Sequence, residues 1–372
     1  MDKKSVLVIG GGAAGHQIAY QLRDIADTTL VDPKTYWEVP MAVPRLLVEP
    51  DALAARIPYA SFIGSAQHLQ GRVTALNDAS AKVALADGSQ QTLSFDYAVI
   101  ATGSASLDPI IKAQAPTELQ RAAELLALNK RLRTARAVVV VGAGPVGVET
   151  AAELRESLPN VEVTLVHGEG RVLDKAPSKF AGWAEKYLRI KGVNLVLGET
   201  VTTPSVSKQP GDGKVITSTG RILPADAIIW AAGIRPATAF VADSWPDAVQ
   251  ANGLVKVDSY LRVASHPTVF AVGDVTNLPE NRLAIVAGLH VKSVVGNLKR
   301  LIAAETPSQT KLKPYKPALP GKGSGKLMIV SLGRTDGLTS VPFGQFRISF
   351  LARKIKSHDL LVGMSRKALD LR

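Results

Sequence analysis

A glycine fingerprint that can bind phosphate occurs twice in this sequence, as VLVIGGGAAG and as VVVVGAGPVGVE. In each copy an apolar strand pattern leads into a glycine turn and then a helix pattern. The first glycine permits a tight turn, the second lets the backbone approach a pyrophosphate, and the third lets the helix pack closely on the strand. The residues predicted to form a first and a second cradle are Gly10, Gly12, Ala13, Ala14 and Gly15, and Gly142, Gly144, Pro145, Val146 and Gly147. Because a helix N-terminus favours an anion, we expect two dinucleotide sites.

The residue that ends the next strand differs between the two copies. Asp32 follows Gly10 by 22 residues, where a carboxylate binds adenosine ribose hydroxyls. The corresponding residue of the second copy is His167, which is followed by Gly168. Without a carboxylate there, nothing repels a 2′-phosphate, and Arg171 is close enough in sequence to pair with one. We therefore expect the second site to accept NADPH, with NADH also possible; the alternative for His167 is a solvent-facing side chain without a ligand.

The residue types that the chain lacks exclude several kinds of chemistry. There is no cysteine, and the six histidines are scattered without HExxH spacing. Disulfide frameworks, thiolate metal sites, iron–sulfur ligation and thiol catalysis are therefore excluded, and we expect no metal site. A redox enzyme with this composition has to hold its electrons on a bound cofactor.

Positive charge is concentrated at the C-terminal end. The net charge is +12, and residues 306–372 contain 13 Lys and Arg against three Asp. A basic segment of this kind favours an anionic partner, such as a phospholipid surface, nucleic acid or an acidic protein. The alternative is a solvated basic face without a partner.

The elements that must position these residues form two similar cycles. Short β-branched runs alternate with helix patterns, which predicts an α/β fold with parallel sheets. The strand patterns cover 6–9, 28–31 and 97–100 in the first cycle, 137–141, 161–166 and 226–231 in the second, and finally 268–272. The turns that follow strands are Ala101-Thr102-Gly103, Ala231-Ala232-Gly233 and Gly273-Asp274. This order predicts a first fold that is interrupted by a complete second fold and then resumed.

The order of these motifs resembles the two-dinucleotide-binding-domain flavoproteins, in which FAD occupies the first fold and NAD(P)H the inserted fold. The resemblance implies that Asp274 hydrogen-bonds the ribityl and pyrophosphate region of FAD. We expect Ala101, Thr102, Gly103, Gly233 and Gly273 to contribute further cofactor contacts. The predicted domains are 1–110 with 246–305 for FAD, 111–245 for NAD(P)H, and a small basic C-terminal module at 306–372.

Further motifs indicate a branch of this superfamily. The disulfide reductases need a cysteine pair and are excluded, which leaves ferredoxin- and rubredoxin-type reductases, type II NADH:quinone reductases and apoptosis-inducing-factor-like proteins. The stretches AGLH at 287–290, SLGRTDG at 331–337 and KSHDL at 356–360 are similar to those of the ferroptosis-suppressor, apoptosis-inducing-factor-like flavoproteins. That family implies NAD(P)H-dependent reduction of ubiquinone-type and other lipid quinones at membrane surfaces. Two departures are the lack of a myristoylation glycine after Met1 and the pair Tyr36-Trp37, where vertebrate relatives have histidines.

Three residues are candidates for the catalytic step. Glu149 follows the second cradle; in related flavoenzymes the matching Glu points to the nicotinamide–flavin junction, and the alternative is a carboxylate that only favours its helix dipole. Lys356 could pair with Glu149 or polarise a quinone carbonyl, or be one more exposed lysine. A helix N-terminus at about Ala287–His290 would place its positive dipole near flavin N1 and O2, and His290 would add a proton or be structural. Lys34 and Arg45 are expected at FAD phosphates or at the flavin edge.

The chain end suggests where the enzyme works. Leu361, Met364, Ala368 and Leu371 would share one helical face, which can lie on an anionic membrane or dock on the protein core. We expect a cytoplasmic, non-secreted monomer or homodimer that associates peripherally with a mitochondrial, lipid-droplet or plasma membrane surface. The alternatives are a reductase that binds an acidic iron–sulfur carrier and a non-enzymatic DNA-binding redox sensor; nucleic acid is the less favoured partner.

Overall fold

The computed structural model describes residues 3–52, 54–317, 327–341, 344–347 and 359–371. The strands are β1 (Ser5–Ile9), β2 (Asp27–Asp32), β3 (Tyr36–Glu38), β4 (Arg56–Pro58), β5 (Gln67–Leu76), β6 (Ser80–Leu85), β7 (Gln90–Ser94), β8 (Tyr97–Ile100), β9 (Ser104–Ser106), β10 (Ala137–Val141), β11 (Glu162–His167), β12 (Val193–Leu197), β13 (Val201–Thr203), β14 (Lys214–Thr217), β15 (Ile222–Pro224), β16 (Ala227–Trp230), β17 (Ile234–Pro236), β18 (Arg262–Val263), β19 (His266–Ala271), β20 (Met328–Leu332), β21 (Asp336–Val341) and β22 (Gly344–Phe346).

The helices among these residues follow the cradles and the crossovers. They are α1 (Gly15–Leu22), α2 (Val43–Leu46), α3 (Glu118–Thr134), α4 (Pro145–Ser157), α5 (Ser178–Ile190), α6 (Ala239–Ser244), α7 (Ala284–Ala303) and α8 (Val362–Lys367). None of the helices in these ranges has the length and apolar character needed to span a bilayer.

Two parallel sheets carry the two cradles. The first sheet has the order β18-β19-β8-β1-β2-β5-β6-β7, and its five strands from β19 to β5 are parallel. The second has the order β12-β11-β10-β16 and is parallel throughout. The central strands β8 and β10 are buried along their whole length, as expected for strands covered on both faces. The predicted α/β class and the insertion of the second fold between β8 and β19 are confirmed.

An antiparallel ribbon of β9 and β17 joins the two folds. After this ribbon, α6 packs against β5 of the first sheet, and the Ser244 hydroxyl accepts a hydrogen bond from the Leu76 N–H at 2.9 Å. Val241 of α6 is buried in the core of the first fold. The chain therefore returns to the first fold soon after residue 236, earlier than the predicted boundary at 245/246, because a short apolar helix already covers that sheet.

The C-terminal module contributes an antiparallel sheet, β20-β21-β22, and β20 packs against α4. The predicted amphipathic helix at the chain end is shorter than its pattern suggests. Leu361 is left-handed with φ +65°, and α8 ends after six residues, so the helical period is not kept. Leu360, Val362 and Leu369 are buried in the core and Leu371 is partly buried against it, whereas Met364 is 61% exposed.

Candidate functional site

The two cradles share one backbone geometry. Gly10 and Gly142 have φ values of +94° and +101°, a left-handed conformation that favours glycine. A side chain on Gly15 would overlap the carbonyl oxygen of Gly10, and one on Gly147 would overlap that of Gly142. Glycine at these four positions therefore allows each strand, turn and helix to pack together.

The middle glycine of each cradle faces open space. A Cβ on Gly12 would meet its nearest neighbour at 4.0 Å, and one on Gly144 would meet nothing within 4 Å. Helices α1 and α4 begin next to this space, so their unpaired first-turn N–H groups are available to an anion. Both cradles have the room and the polarity that a pyrophosphate requires.

Asp32 closes the first cradle at the end of β2. The side chain is buried, and its oxygens accept hydrogen bonds from the N–H groups of Gly11 at 2.6 Å and Lys34 at 2.8 Å. The Tyr59 hydroxyl donates to the Gly11 carbonyl at 3.0 Å. These bonds fix the carboxylate where an adenosine ribose is expected.

His16 lies directly behind the first cradle. Its Nδ1 donates to the Gly12 carbonyl at 2.6 Å, and its ring stacks on Trp37 at 3.8 Å between centroids. Burial lowers the pKa of His16 to about 4, so the imidazole is neutral at physiological pH. The second cradle has Val148 at the matching position.

Asp274 lies near the first cradle beside two residues of the crossover from the first fold. The Ser104 hydroxyl donates to its carboxylate at 2.5 Å, and Lys112 Nζ lies 3.3 Å away. Lys112 also hydrogen-bonds Ser104. A lysine and a carboxylate from distant parts of the sequence thus lie together at the turn that follows β19.

A buried chain of hydrogen bonds supports the turn that carries Asp274. The Gly273 N–H donates to His290 Nδ1 at 3.0 Å, and His290 Nε2 donates to Glu280 at 3.1 Å. The Tyr315 hydroxyl donates to the same carboxylate at 3.0 Å. Burial lowers the pKa of His290, so the neutral ring orients the Gly273 turn and has both nitrogens engaged.

Helix α7 begins at Ala284, one turn before the predicted N-terminus at Ala287–His290. The Ala287 N–H already donates to the Leu283 carbonyl at 3.1 Å, so Ala287 does not offer a free amide. The apolar run that sets the helix extends further toward the chain start than the AGLH motif. The turn that precedes the helix lines a groove with Asp274 and Val286.

Glu149 lies on the first turns of α4 and is 3% exposed. Its Oε1 accepts a hydrogen bond from the Ser331 N–H of β20 at 2.9 Å. One turn later, Glu153 forms a fully buried ion pair with Arg45 of α2 at 2.8 Å. Burial raises the pKa of Glu153, and Arg45 opposes that shift. Helix α4 is therefore tied by carboxylates to the first fold and to the C-terminal module.

The other predicted site residues have varied surroundings. Thr102 donates through its hydroxyl to the Ala237 carbonyl at 2.7 Å, and the Gly103 carbonyl accepts the Ala237 N–H at 3.0 Å. Gly233 has φ +78° and packs against Leu107, so a Cβ there would overlap that side chain. These contacts place all three at the ribbon between the folds. Lys356 lies outside the described residues.

The strand-end residue of the second fold, His167, faces a carboxylate. Its Nε2 is 3.5 Å from Asp174 Oδ1. Arg171 donates from Nη1 to Ser178 Oγ at 3.0 Å and from Nη2 to the Ala176 carbonyl at 2.9 Å, and it also bonds the Asp174 carbonyl. The predicted pairing of Arg171 with a 2′-phosphate would require it to leave these bonds.

Comparison with known proteins identifies the family of the chain. Residues 4–290 match the family described as pyridine nucleotide-disulphide oxidoreductase. The chain belongs to that family. Its cofactors are accordingly FAD and NAD(P)H, and it is an NAD(P)H-dependent flavoprotein oxidoreductase.

Similar proteins refine the branch of this oxidoreductase. Ferroptosis suppressor protein 1 of Xenopus tropicalis is 31% identical over 378 residues, which cover 98% of the chain and 95% of that protein. Apoptosis-inducing factor homolog B of Dictyostelium discoideum is 29% identical and covers 97% and 95%. The predicted resemblance to the ferroptosis-suppressor and apoptosis-inducing-factor-like flavoproteins is confirmed.

A solved structure agrees on the fold of the oxidoreductase. NDH2 from Plasmodium falciparum in complex with NADH has a TM-score of 0.74, with 14% identity and 98% coverage of both chains. At this identity the likeness shows the fold alone.

Sequence reasoning missed several residues of the candidate site. Lys112 and Ser104 lie in a crossover without a motif, and His16 follows the fingerprint at a position for which the motif specifies nothing. Glu280 and Tyr315 are distant from the motifs that they support. No sequence pattern indicated that Tyr315 would hydrogen-bond Glu280.

Proposed function

We propose that the chain transfers two electrons from NAD(P)H through FAD to a ubiquinone-type or other lipid quinone at a membrane surface. The observation that carries this proposal is that the sequence contains no cysteine, although the chain belongs to the pyridine nucleotide-disulphide oxidoreductase family. Without a disulfide, the electrons have to reach an acceptor outside the chain. The similarity to ferroptosis suppressor proteins over nearly the full chain supports a lipid-soluble acceptor.

We assign FAD to the first cradle and the nicotinamide cofactor to the second. Bound FAD supplies the redox chemistry that links a hydride donor to a two-electron acceptor. Asp32 would hold the adenosine ribose, and Asp274 with Lys112 and Ser104 would hold the region between the ribityl chain and the phosphates. Lys34, two residues after Asp32, would contact the phosphates of FAD. The first turn of α7 would direct its amides toward developing negative charge.

Glu149 would act beside the second cradle, where α4 meets the C-terminal module. Its carboxylate is fixed by the Ser331 N–H, so it lies between the second cradle and the C-terminal module without needing to reorganise. A buried hydrogen-bond acceptor at this position can orient the nicotinamide amide, or the group next to that amide, during hydride transfer. Lys356 stays our second candidate for the acceptor side.

The membrane part of the proposal depends on charge and exposed apolar side chains. The C-terminal module carries a net charge of +10, and each Lys or Arg near an anionic surface contributes about 1 kcal/mol. Met364 is 61% exposed on α8, and Ile285 is 50% exposed on the first turn of α7. Apolar groups beside a basic surface favour contact with lipid.

The test is a flavin spectrum followed by steady-state turnover with NADH or NADPH and a short-chain quinone. The expected result is a yellow protein that oxidises the nicotinamide only with quinone, and faster with a long-chain quinone in anionic vesicles than in neutral ones. Colourless protein, or no quinone-dependent turnover, would contradict the proposal. A strong preference for a small acidic iron–sulfur protein over every quinone would favour a ferredoxin-type reductase in its place.

A further inference from the structure

We propose that the second cradle selects NADH over NADPH, and that Asp174, which lies beside His167, is the residue that makes the selection. The proposal rests on the assignment of the nicotinamide cofactor to the second fold. It concerns a carboxylate that sequence reasoning did not consider, because Asp174 lies seven residues after the end of β11.

His167 and Asp174 lie at the end of the strand that follows the second cradle and its helix. In a dinucleotide fold, the end of the second strand meets the adenosine ribose, and in this fold that strand is β11, which ends at His167. The His167 Nε2 atom is buried and has no hydrogen bond to any described residue, yet it lies 3.5 Å from Asp174. The Asp174 side chain is 31% exposed, against 16% for His167. The carboxylate is therefore the more accessible member of the pair.

Arg171 is the cation nearest to His167 in sequence, and its hydrogen bonds show whether it is available to a 2′-phosphate. Arg171 hydrogen-bonds Ser178, Ala176 and Asp174, all within its own loop. Its guanidinium therefore braces the loop that carries Asp174 and is not directed at the ribose. A 2′-phosphate would have to displace this bracing to gain an arginine partner.

The charge balance at the ribose favours NADH. A 2′-hydroxyl can donate a hydrogen bond to a carboxylate, whereas a 2′-phosphate brings like charge beside Asp174. Glu169, exposed two residues after β11, adds a second negative charge to the same loop. Lys175 and Lys179 are exposed on the loop and the start of α5, and Lys179 lies over the Trp183 ring at 5.1 Å. They are the groups that would favour a phosphate if the inference were wrong.

The experiment measures dissociation constants of NADH and NADPH for the FAD-loaded protein by nucleotide fluorescence, with the flavin reduced beforehand under anaerobic conditions so that no hydride transfer occurs. We expect NADH to bind at least about tenfold more tightly than NADPH, and Asp174→Asn to reduce that ratio by about tenfold. Glu169→Gln is the matched charge control and should change the ratio by less than about threefold, because its side chain is exposed and its charge is screened by solvent. Flavin content and melting temperature of each variant confirm that it is folded.

Several outcomes would overturn the inference. Equal or tighter binding of NADPH by the wild-type protein contradicts the selection itself, even if Asp174→Asn does not fold. An unchanged ratio in folded Asp174→Asn removes Asp174 as its cause, and selective loss of NADPH binding in Lys175→Ala or Lys179→Ala shows a phosphate site. If quinone turnover fails but NADH is still preferred, only the proposed acceptor is lost. If neither nucleotide binds, the assignment of the second fold is lost as well.

Discussion

The two cradles have nearly the same backbone but different surroundings. Behind the first, Asp32 is 5% exposed and receives two backbone N–H groups, and His16 stacks on Trp37. At the second, the strand ends in a histidine, and a carboxylate with 31% exposure comes from a following loop. Buried, fully bonded groups suit a cofactor that stays bound. Partly exposed groups on a loop suit a nucleotide that has to enter and leave in each turnover.

The largest effect is expected from filling the open space of one cradle at a time. Gly12→Val should lower FAD affinity by at least about 100-fold and abolish activity, because the side chain occupies the place of the pyrophosphate. Gly144→Val should retain flavin but bind NADH far more weakly. Flavin absorbance per protein and nucleotide titration distinguish the two. Loss of flavin in Gly144→Val would show that the cradles are not separate sites.

The next effect concerns the ion pair that joins the folds. Arg45→Met should lower the free energy of unfolding by about 3–5 kcal/mol, because it leaves Glu153 buried without its partner. The double variant with Glu153→Met should recover much of that loss. Denaturant unfolding measures stability, and single-turnover flavin reduction by NADH measures alignment of the folds.

A second buried pair serves as the control for that variant. Arg121 of α3 and Glu38 of β3 pair at 2.9 Å, and neither residue belongs to α4, the helix that follows the second cradle. Arg121→Met should therefore also destabilise the protein but leave the rate of flavin reduction in the folded fraction nearly unchanged. Equal slowing in both variants would mean that neither pair has a special role between the folds.

His16 should make the first cradle sensitive to acid. Its pKa is about 4 in the folded protein and 6.5 when unfolded, so the unfolded state binds the proton first as pH falls. Stability is therefore complete above pH 6.5 and decreases toward pH 4, by up to about 3 kcal/mol from this group. His16→Leu should lack this component. Unfolding of both proteins at pH 7.5 and pH 5 checks it, and parallel pH profiles would contradict it.

The smallest effect is expected at the far end of the His290 chain. Tyr315→Phe removes one hydrogen bond to Glu280, worth about 1 kcal/mol, and should weaken FAD binding by about fivefold. Tyr260→Phe, at a partly exposed tyrosine, is the control and should have no effect. NADH affinity should stay constant in both variants, because the second cradle has no part in this chain. A shift in NADH affinity with constant FAD affinity would contradict the assignment.

Local patterns explain which parts could be predicted. The cradles, the parallel strands and Asp32 each follow from residues within about 25 positions, so spacing alone indicates them. Cofactor identity needed the longer order of motifs and a family resemblance. The NADPH expectation came from the strand-end residue and from Arg171, and it did not consider Asp174, which lies 3.5 Å from His167.

Long-range pairing explains most of what the sequence could not indicate. Arg45 and Glu153 are 108 residues apart, and Lys112 and Asp274 are 162 apart. A single sequence gives no information on such partners, since any exposed or buried charge satisfies the local pattern. The helix prediction at the chain end failed for another reason. Leu361 is left-handed and α8 has fewer than two turns, so the predicted helical period does not extend over the whole segment.

One hydrophobic cluster runs through both folds and the C-terminal sheet. It includes Leu30 and Leu46 of the first fold, Val138 and Leu154 of the second, and Val330 of β20. Because this cluster is shared, we expect excision to destabilise either nucleotide fold and the intact molecule to melt in one cooperative transition. Each bound nucleotide then protects the whole chain by mass action, so loss of FAD would expose the second fold to proteolysis as well.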